Sequence, residues 1–145
     1  MNPVVRSVLA VLGGMLAAFV VIALVQVVGM IVYPPPAGLN PQDREAFKAV
    51  VANLPRGALL CVLLAYATGS VVGGWVAARF VPRAKLMHAM IVGAFLLGAG
   101  IVNLMMIPQP SWFSASAVAI YLLGAWSGGR AAGAGVEAGA RPAAG

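Results

Sequence analysis

Four long stretches of this chain carry no Asp, Glu, Lys or Arg away from their ends, and that absence constrains the fold more than any other feature. They run from about Val4 to Val32, Gly57 to Phe80, Leu86 to Ile107 and Trp112 to Gly129. Hydrocarbon offers backbone polar groups no partner, so a crossing segment must satisfy them internally, and roughly 20 predominantly apolar residues in a helix suffice. The spacing predicts an all-α membrane protein with four transmembrane helices, the last being the shortest. At 1.5 Å per residue the first would be about 43 Å long, so it must tilt or project beyond the hydrocarbon.

Composition agrees: 62% of the 145 residues are apolar and 8% are charged, against about 25% charged in a soluble domain. With so few charges a water-facing surface cannot be built, and most of the surface must face lipid. Residues 1–130 read as one membrane domain, and residues 131–145, almost entirely glycine and alanine, as a disordered tail. Arg6 before an apolar stretch resembles a signal peptide, but the stretch far exceeds an h-region of about 7 to 15 residues. An uncleaved first helix is expected.

The net charge of +6 comes from nine dispersed basic residues with no interleaved aromatic cluster, so it reads as topology and not as a nucleic-acid surface. Arg6, Arg79, Arg83, Lys85, Arg130 and Arg141 fall on one side of the predicted bundle, and Arg44, Lys48 and Arg56 on the other. The positive-inside rule then places both termini in the cytoplasm and residues 33–56 outside. Trp75 and Trp126 at one boundary, with Tyr33 and Trp112 at the other, fit interfacial belts.

The longest loop holds the one organised polar segment. Pro34, Pro35 and Pro36 force an extended exit from the first helix. Asn40 reads as an N-cap, Pro41 as the first helical position and Asp43 as a first-turn acid. Phe47, Val50, Val51 and Leu54 recur at i, i+3, i+4 and i+7, which predicts an amphipathic helix over about 41–53, lying on the outer membrane face. Glu45 can pair with Lys48 at i+3.

Two sequence endings are alike: Gly73-Gly74-Trp75-Val76-Ala77-Ala78-Arg79 and Gly124-Ala125-Trp126-Ser127-Gly128-Gly129-Arg130. Val27 to Pro34 likewise resembles Ile101 to Pro108. Either two helical hairpins repeat in parallel, or both pairs reflect the interfacial composition common to membrane helix ends. The stretches Ile31 to Leu39, Leu54 to Leu60 and Gly73 to Arg79, with their Tyr-Pro-Pro-Pro-Ala-Gly loop, resemble a group of small uncharacterised bacterial four-helix membrane proteins. That resemblance implies a bacterial inner-membrane location and transfers no activity.

Candidates for chemistry are sparse. All three acids, Asp43, Glu45 and Glu137, lie outside the spans, so the buried carboxylate of a proton-coupled transporter is lacking. Cys61 is the single cysteine, which excludes an internal disulfide, a redox pair and a cysteine metal site. His88 has no companions for a metal or triad site. Neither an enzymatic centre nor a cofactor is expected. Gln26, Asn103, Ser114 and Ser116 fall at similar depth near the outer side, and read either as interhelical hydrogen-bonding glue or as the polar lining of a small-ligand site. Tyr66, Thr68 and Ser70 in the second span can satisfy themselves on backbone carbonyls or a neighbouring helix.

Small residues carry more information. Gly69 with Gly73, Ser70 with Gly74, and Gly124 with Gly128 are each spaced i, i+4, which lets helix backbones approach closely. The expected function is non-catalytic, through helix contacts with membrane partners or a second copy. The competing reading is a small channel or transporter for an uncharged or lipophilic solute.

Overall fold

The computed structural model describes residues 2–40, 42–107 and 109–134, which form helices and short connections with no strand among them. Helix α1 spans Pro3–Val32, α2 Arg44–Ala52, α3 Arg56–Arg79, α4 Lys85–Met106 and α5 Ser111–Gly129. A π-helical turn, Arg130–Ala134, continues α5. The long helices begin and end within one residue of the predicted bounds, because caps and prolines mark them. Asn2 Oδ1 accepts the Val4 amide at 2.9 Å with Pro3 at the first helical position, and Tyr33 leads into the proline run.

The start of α2 departs from expectation. Its N-cap is Asp43, whose Oδ1 accepts the amides of Glu45 and Ala46 at 3.1 Å, while Asn40 caps a separate turn through Gln42 N at 3.0 Å. An aspartate carries full charge toward the helix N-terminus, where an asparagine offers only a dipole. Pro41, predicted as the first helical position, lies outside the described residues. The Glu45–Lys48 pair forms at 3.0 Å. Of the tail predicted to be disordered, the described residues 131–134 belong to the π-helical turn, with Gly133 at φ 88°, and residues 135–145 lie outside the described set.

Three helices, α1, α3 and α4, are long and apolar enough to cross a membrane, not the four expected. The exception is α5, whose 19 residues include Ser111, Ser114, Ser116 and Ser127 together with Trp112, Tyr121 and Trp126. Hydroxyls and amphipathic rings dilute its hydrophobicity. Each of the three apolar helices leaves most of its central window uncovered by protein, α1 most of all, and its Leu12, Leu16, Leu24 and Val28 point outward. The chain is therefore embedded in a membrane, because water would face a large continuous apolar belt.

Helix α3 is the hub, packing against α1, α4 and α5, whereas α1 and α5 do not touch. Two small-residue faces on α3 make this possible. Gly69 and Gly73 face Ala18, Ile22 and Gly14 of α1, and a Cβ added at Gly73 would stand 2.8 Å from the Gly14 carbonyl oxygen. Ser70 and Gly74 face Gly124 and Ala125 of α5, where a Cβ on Gly74 would lie 2.6 Å from the Ala125 carbonyl oxygen. Gly128 closes the same seam against the backbone of Val71 and Trp75. The two similar endings of α3 and α5 thus lie against each other.

The end carrying most basic residues is tied by charge. The Arg6 guanidinium donates from Nε to the Phe80 carbonyl at 2.7 Å, meeting the negative end of α3. Arg130 stands 4.9 Å over the Trp126 ring. Between α3 and α4, Ala84 adopts a left-handed conformation at φ 53°. Its carbonyl accepts both the backbone amide of His88 at 3.2 Å and the ring Nδ1–H of His88 at 2.9 Å. The buried histidine anchors a turn.

Candidate functional site: a chamber under the loop end

At the opposite end, where α1 meets the proline run and α2 precedes α3, the helices and the loop line a half-open cavity of about 570 Å³. Glycine does not draw the backbones of α1 and α3 together at Gly29. A Cβ on Gly29 would meet only Cys61 Cβ, at 3.4 Å, an ordinary contact. Met30 and Tyr33 of α1, Leu59, Val62 and Tyr66 of α3, and Phe113 of α5 hold the helices apart around the space. The Tyr33 hydroxyl presses on Gly57 at the start of α3, where any larger residue would collide with it, and this contact closes the wall between α1 and α3.

Helix α2 forms the roof. Phe47, Val50, Val51 and the following Leu54 all line the cavity, with Pro35, Pro36 and Leu39 beside them. Sequence periodicity placed this apolar stripe on the membrane surface; in the bundle the stripe lies over the mouth of the cavity, with no residue of α2 fully buried. The reason is the short linkage to α3, which passes through Asn53, Leu54 and Pro55 and keeps α2 over the helix ends. No other helix approaches the α2 backbone closely among the described residues. The roof is held by side chains and its two connections.

Polar groups in the wall are few and uncharged. Gln26, Tyr33, Tyr66, Asn103 and Gln109 line the cavity, and among the described residues no lysine, arginine or acid does. Asn103 Nδ2 donates to the Tyr66 hydroxyl at 3.4 Å, a long bond linking α4 to α3. Gln26 makes no hydrogen bond among the described residues, and Gln109 Oε1 is buried without a donor. A buried acceptor left unpaired costs about 1 to 3 kcal/mol, so this wall is built to receive a donor. Cys61 lines the same space, giving it a thiol.

Of the four residues predicted to cluster, the structure brings Gln26 and Asn103 to the chamber and leaves the two serines out. Ser116 Oγ bonds the Trp112 carbonyl of its own helix at 2.8 Å, and Ser114 does not line the cavity. Serine hydroxyls at i, i−4 are satisfied locally, which frees them from interhelical work. Thr68 does the same on Leu64 and Ala65, whereas Ser70 Oγ, expected to be satisfied likewise, is buried without a partner among the described residues, because the close α3–α5 seam at Gly124 takes up its side chain. Tyr66, expected to bond a backbone carbonyl or a neighbouring helix, accepts from Asn103 of α4. Two residues escaped sequence reading. Gln109 sits in the shortest connection between Pro108 and Pro110, a pinned polar residue that offered a usable signal. Tyr121, stacked on Tyr66 with centroids 4.9 Å apart, gave none, since its partner is set by packing.

A second, smaller cavity of about 130 Å³ lies between α1 and α4. Tyr66 and Asn103 line both cavities and separate them. No family model matches the chain, and no curated protein or solved structure matches it.

Proposed function

We propose that the protein binds an uncharged, lipophilic molecule in the chamber at its loop end. The observation that carries this reading is the chamber itself: about 570 Å³ of space walled by apolar side chains with five amide or phenol groups and no charge among the described residues. Drug-sized ligands occupy cavities of about 300 to 1,000 Å³ with this kind of lining. An ion would have to shed its hydration with nothing to replace it. The alternative weighed in the sequence, action through small-residue contacts with a partner or second copy, is less favoured because Gly69, Ser70, Gly73, Gly74, Gly124 and Gly128 are all engaged within the chain.

In this reading α5 completes a four-helix bundle. Its 19 residues span about 28 Å, near the thickness of a hydrocarbon core, and α3 and α4 shield its polar positions. Both termini then share the basic side, in the cytoplasm of a bacterial cell, and the chamber opens outward. A cysteine placed at Gln42 in a Cys61→Ala background is labelled from outside by an impermeant reagent, and one placed at Gly139 is not.

Native Cys61 reports on binding directly. In the detergent-solubilised full chain, 1-decanol should slow N-ethylmaleimide labelling of Cys61, and decanoate at the same concentration should not. Equal protection by the two, or by neither, rejects the chamber as a site for uncharged amphiphiles.

A further inference from the structure

The chamber and the smaller cavity share Tyr66 and Asn103 as a common wall. That wall is weak. Its interhelical bond, at 3.4 Å, is at the long limit for an N–H donor. Beyond it lie Phe19 and Ile22 of α1 and Leu96, Ala99 and Gly100 of α4, an apolar recess with Tyr121 at its back. Phe19 meets Phe95 edge-on beside this seam, with centroids 6.4 Å apart. Both residues are about half exposed, as is usual for side chains facing lipid. The α1–α4 seam is also the sparsest contact among the long helices that touch.

Depth gives the two cavities an order. Gln109 lies in the connection that follows α4, while Leu96 of the recess, ten residues before the end of α4, lies about 15 Å deeper. A molecule reaching from one to the other through the Tyr66–Asn103 wall would place a polar head near the membrane boundary and an apolar tail toward the bilayer centre. Lipids in the adjoining leaflet have the same orientation. Gln109 Oε1 is buried with no donor among the described residues, so a head that brings a hydrogen-bond donor satisfies it, and the uncharged lining among those residues suits a neutral head.

Resting on the proposed chamber site, we infer that the ligand is a single-chain lipid alcohol that enters sideways from the bilayer between α1 and α4. Its hydroxyl donates to Gln109, and its chain lies past Tyr66 and Asn103 in the recess. Lateral entry suits such a molecule, because its tail never leaves an apolar medium.

The test uses hexadecanol carrying a diazirine at the chain terminus, with the full-length protein in phosphatidylcholine nanodiscs. After irradiation, adducts are mapped by mass spectrometry with and without excess unlabelled hexadecanol, and Cys61 labelling is followed in parallel. Competition separates a saturable site from bulk lipid contact. The expected result is protection of Cys61 together with competed adducts on Phe19, Leu96 or Ala99. Ala99→Phe, a change at an exposed position that fills the recess, should reduce those competed adducts at least fivefold while short 1-octanol still protects Cys61. If Ala99→Phe fails to fold, Ala99→Leu gives the same test with a smaller loss. Protection of Cys61 with competed adducts confined to chamber residues such as Val50 or Leu54 overturns the lateral route and leaves the chamber standing. Absence of Cys61 protection by either alcohol overturns both.

Discussion

The two ends of the bundle are built from the same four long helices and differ in how near the backbones come. At the basic end, an added methyl on Gly14, Gly73 or Gly74 would stand 2.6 to 2.8 Å from a neighbouring carbonyl oxygen. At the loop end the equivalent atom on Gly29 finds a side-chain carbon at 3.4 Å. Glycine and alanine at one end let dispersion contacts accumulate over the whole helix surface, which is the main cohesive force where lipid supplies no hydrophobic drive. Bulky Met30, Tyr33, Leu59 and Phe113 at the other end keep the helices apart and leave the chamber. A single long helix such as α3 therefore acts as a clamp at one end and a cavity wall at the other.

The comparison breaks if the tight end tolerates bulk. Gly74→Ile should have the largest effect, because its side chain meets the Ala125 backbone and not a movable side chain; overpacking of this kind costs about 1 to 3 kcal/mol. Thermal unfolding in detergent should show a markedly lowered midpoint, with crosslinked oligomer bands unchanged. Loss of an oligomer from a still-stable monomer would instead assign the face to self-association. Gly29→Ala at the loop end should leave the midpoint nearly unmoved.

The polar wall comes next in size. Asn103→Leu removes the bond to Tyr66, and membrane interhelical hydrogen bonds are worth about 0.6 to 2 kcal/mol, so a modest fall in thermal midpoint is expected. Gln26→Leu, which breaks no bond among the described residues, should be nearly neutral for stability. A larger loss at Gln26 than at Asn103 would mean that the amides act as glue in a way the chamber geometry does not account for.

The roof and the turn test the two ends more gently. Phe47→Ser on α2 removes an apolar side chain from the chamber mouth, so Cys61 should react with N-ethylmaleimide several times faster while the midpoint changes little. Unchanged reactivity would show that α2 does not limit access. At the basic end, Ala84→Gly relieves a left-handed residue whose Cβ costs about 1 to 2 kcal/mol, part of which the greater freedom of glycine in the unfolded chain offsets. A gain of about 1 kcal/mol is expected in the same unfolding assay, and a loss would mean that the His88 contacts need the alanine in place.

What the sequence determined by itself was everything that depends on local composition. Runs without charge, flanked by proline and arginine, set α1, α3 and α4 to within a residue, since the bilayer imposes one length and one backbone solution on each. The i, i+4 spacing of Gly69, Ser70, Gly73 and Gly74 marked where helices meet, because only small side chains permit that approach. It did not say which helix meets which: adjacent residues on α3 point to opposite sides, Gly69 and Gly73 to α1 and Ser70 and Gly74 to α5, and only the assembled bundle assigns them. The same limit governs the site. Amphipathic periodicity identified the apolar stripe of α2 but could not tell a lipid surface from a chamber mouth, since either takes an apolar face. Gln26 and Asn103 were legible as isolated amides in apolar runs. Their joining with Tyr66 and Gln109, and the exclusion of Ser114 and Ser116, was decided by tertiary structure, because a cavity is the volume side chains from four segments fail to fill, and no one segment encodes it.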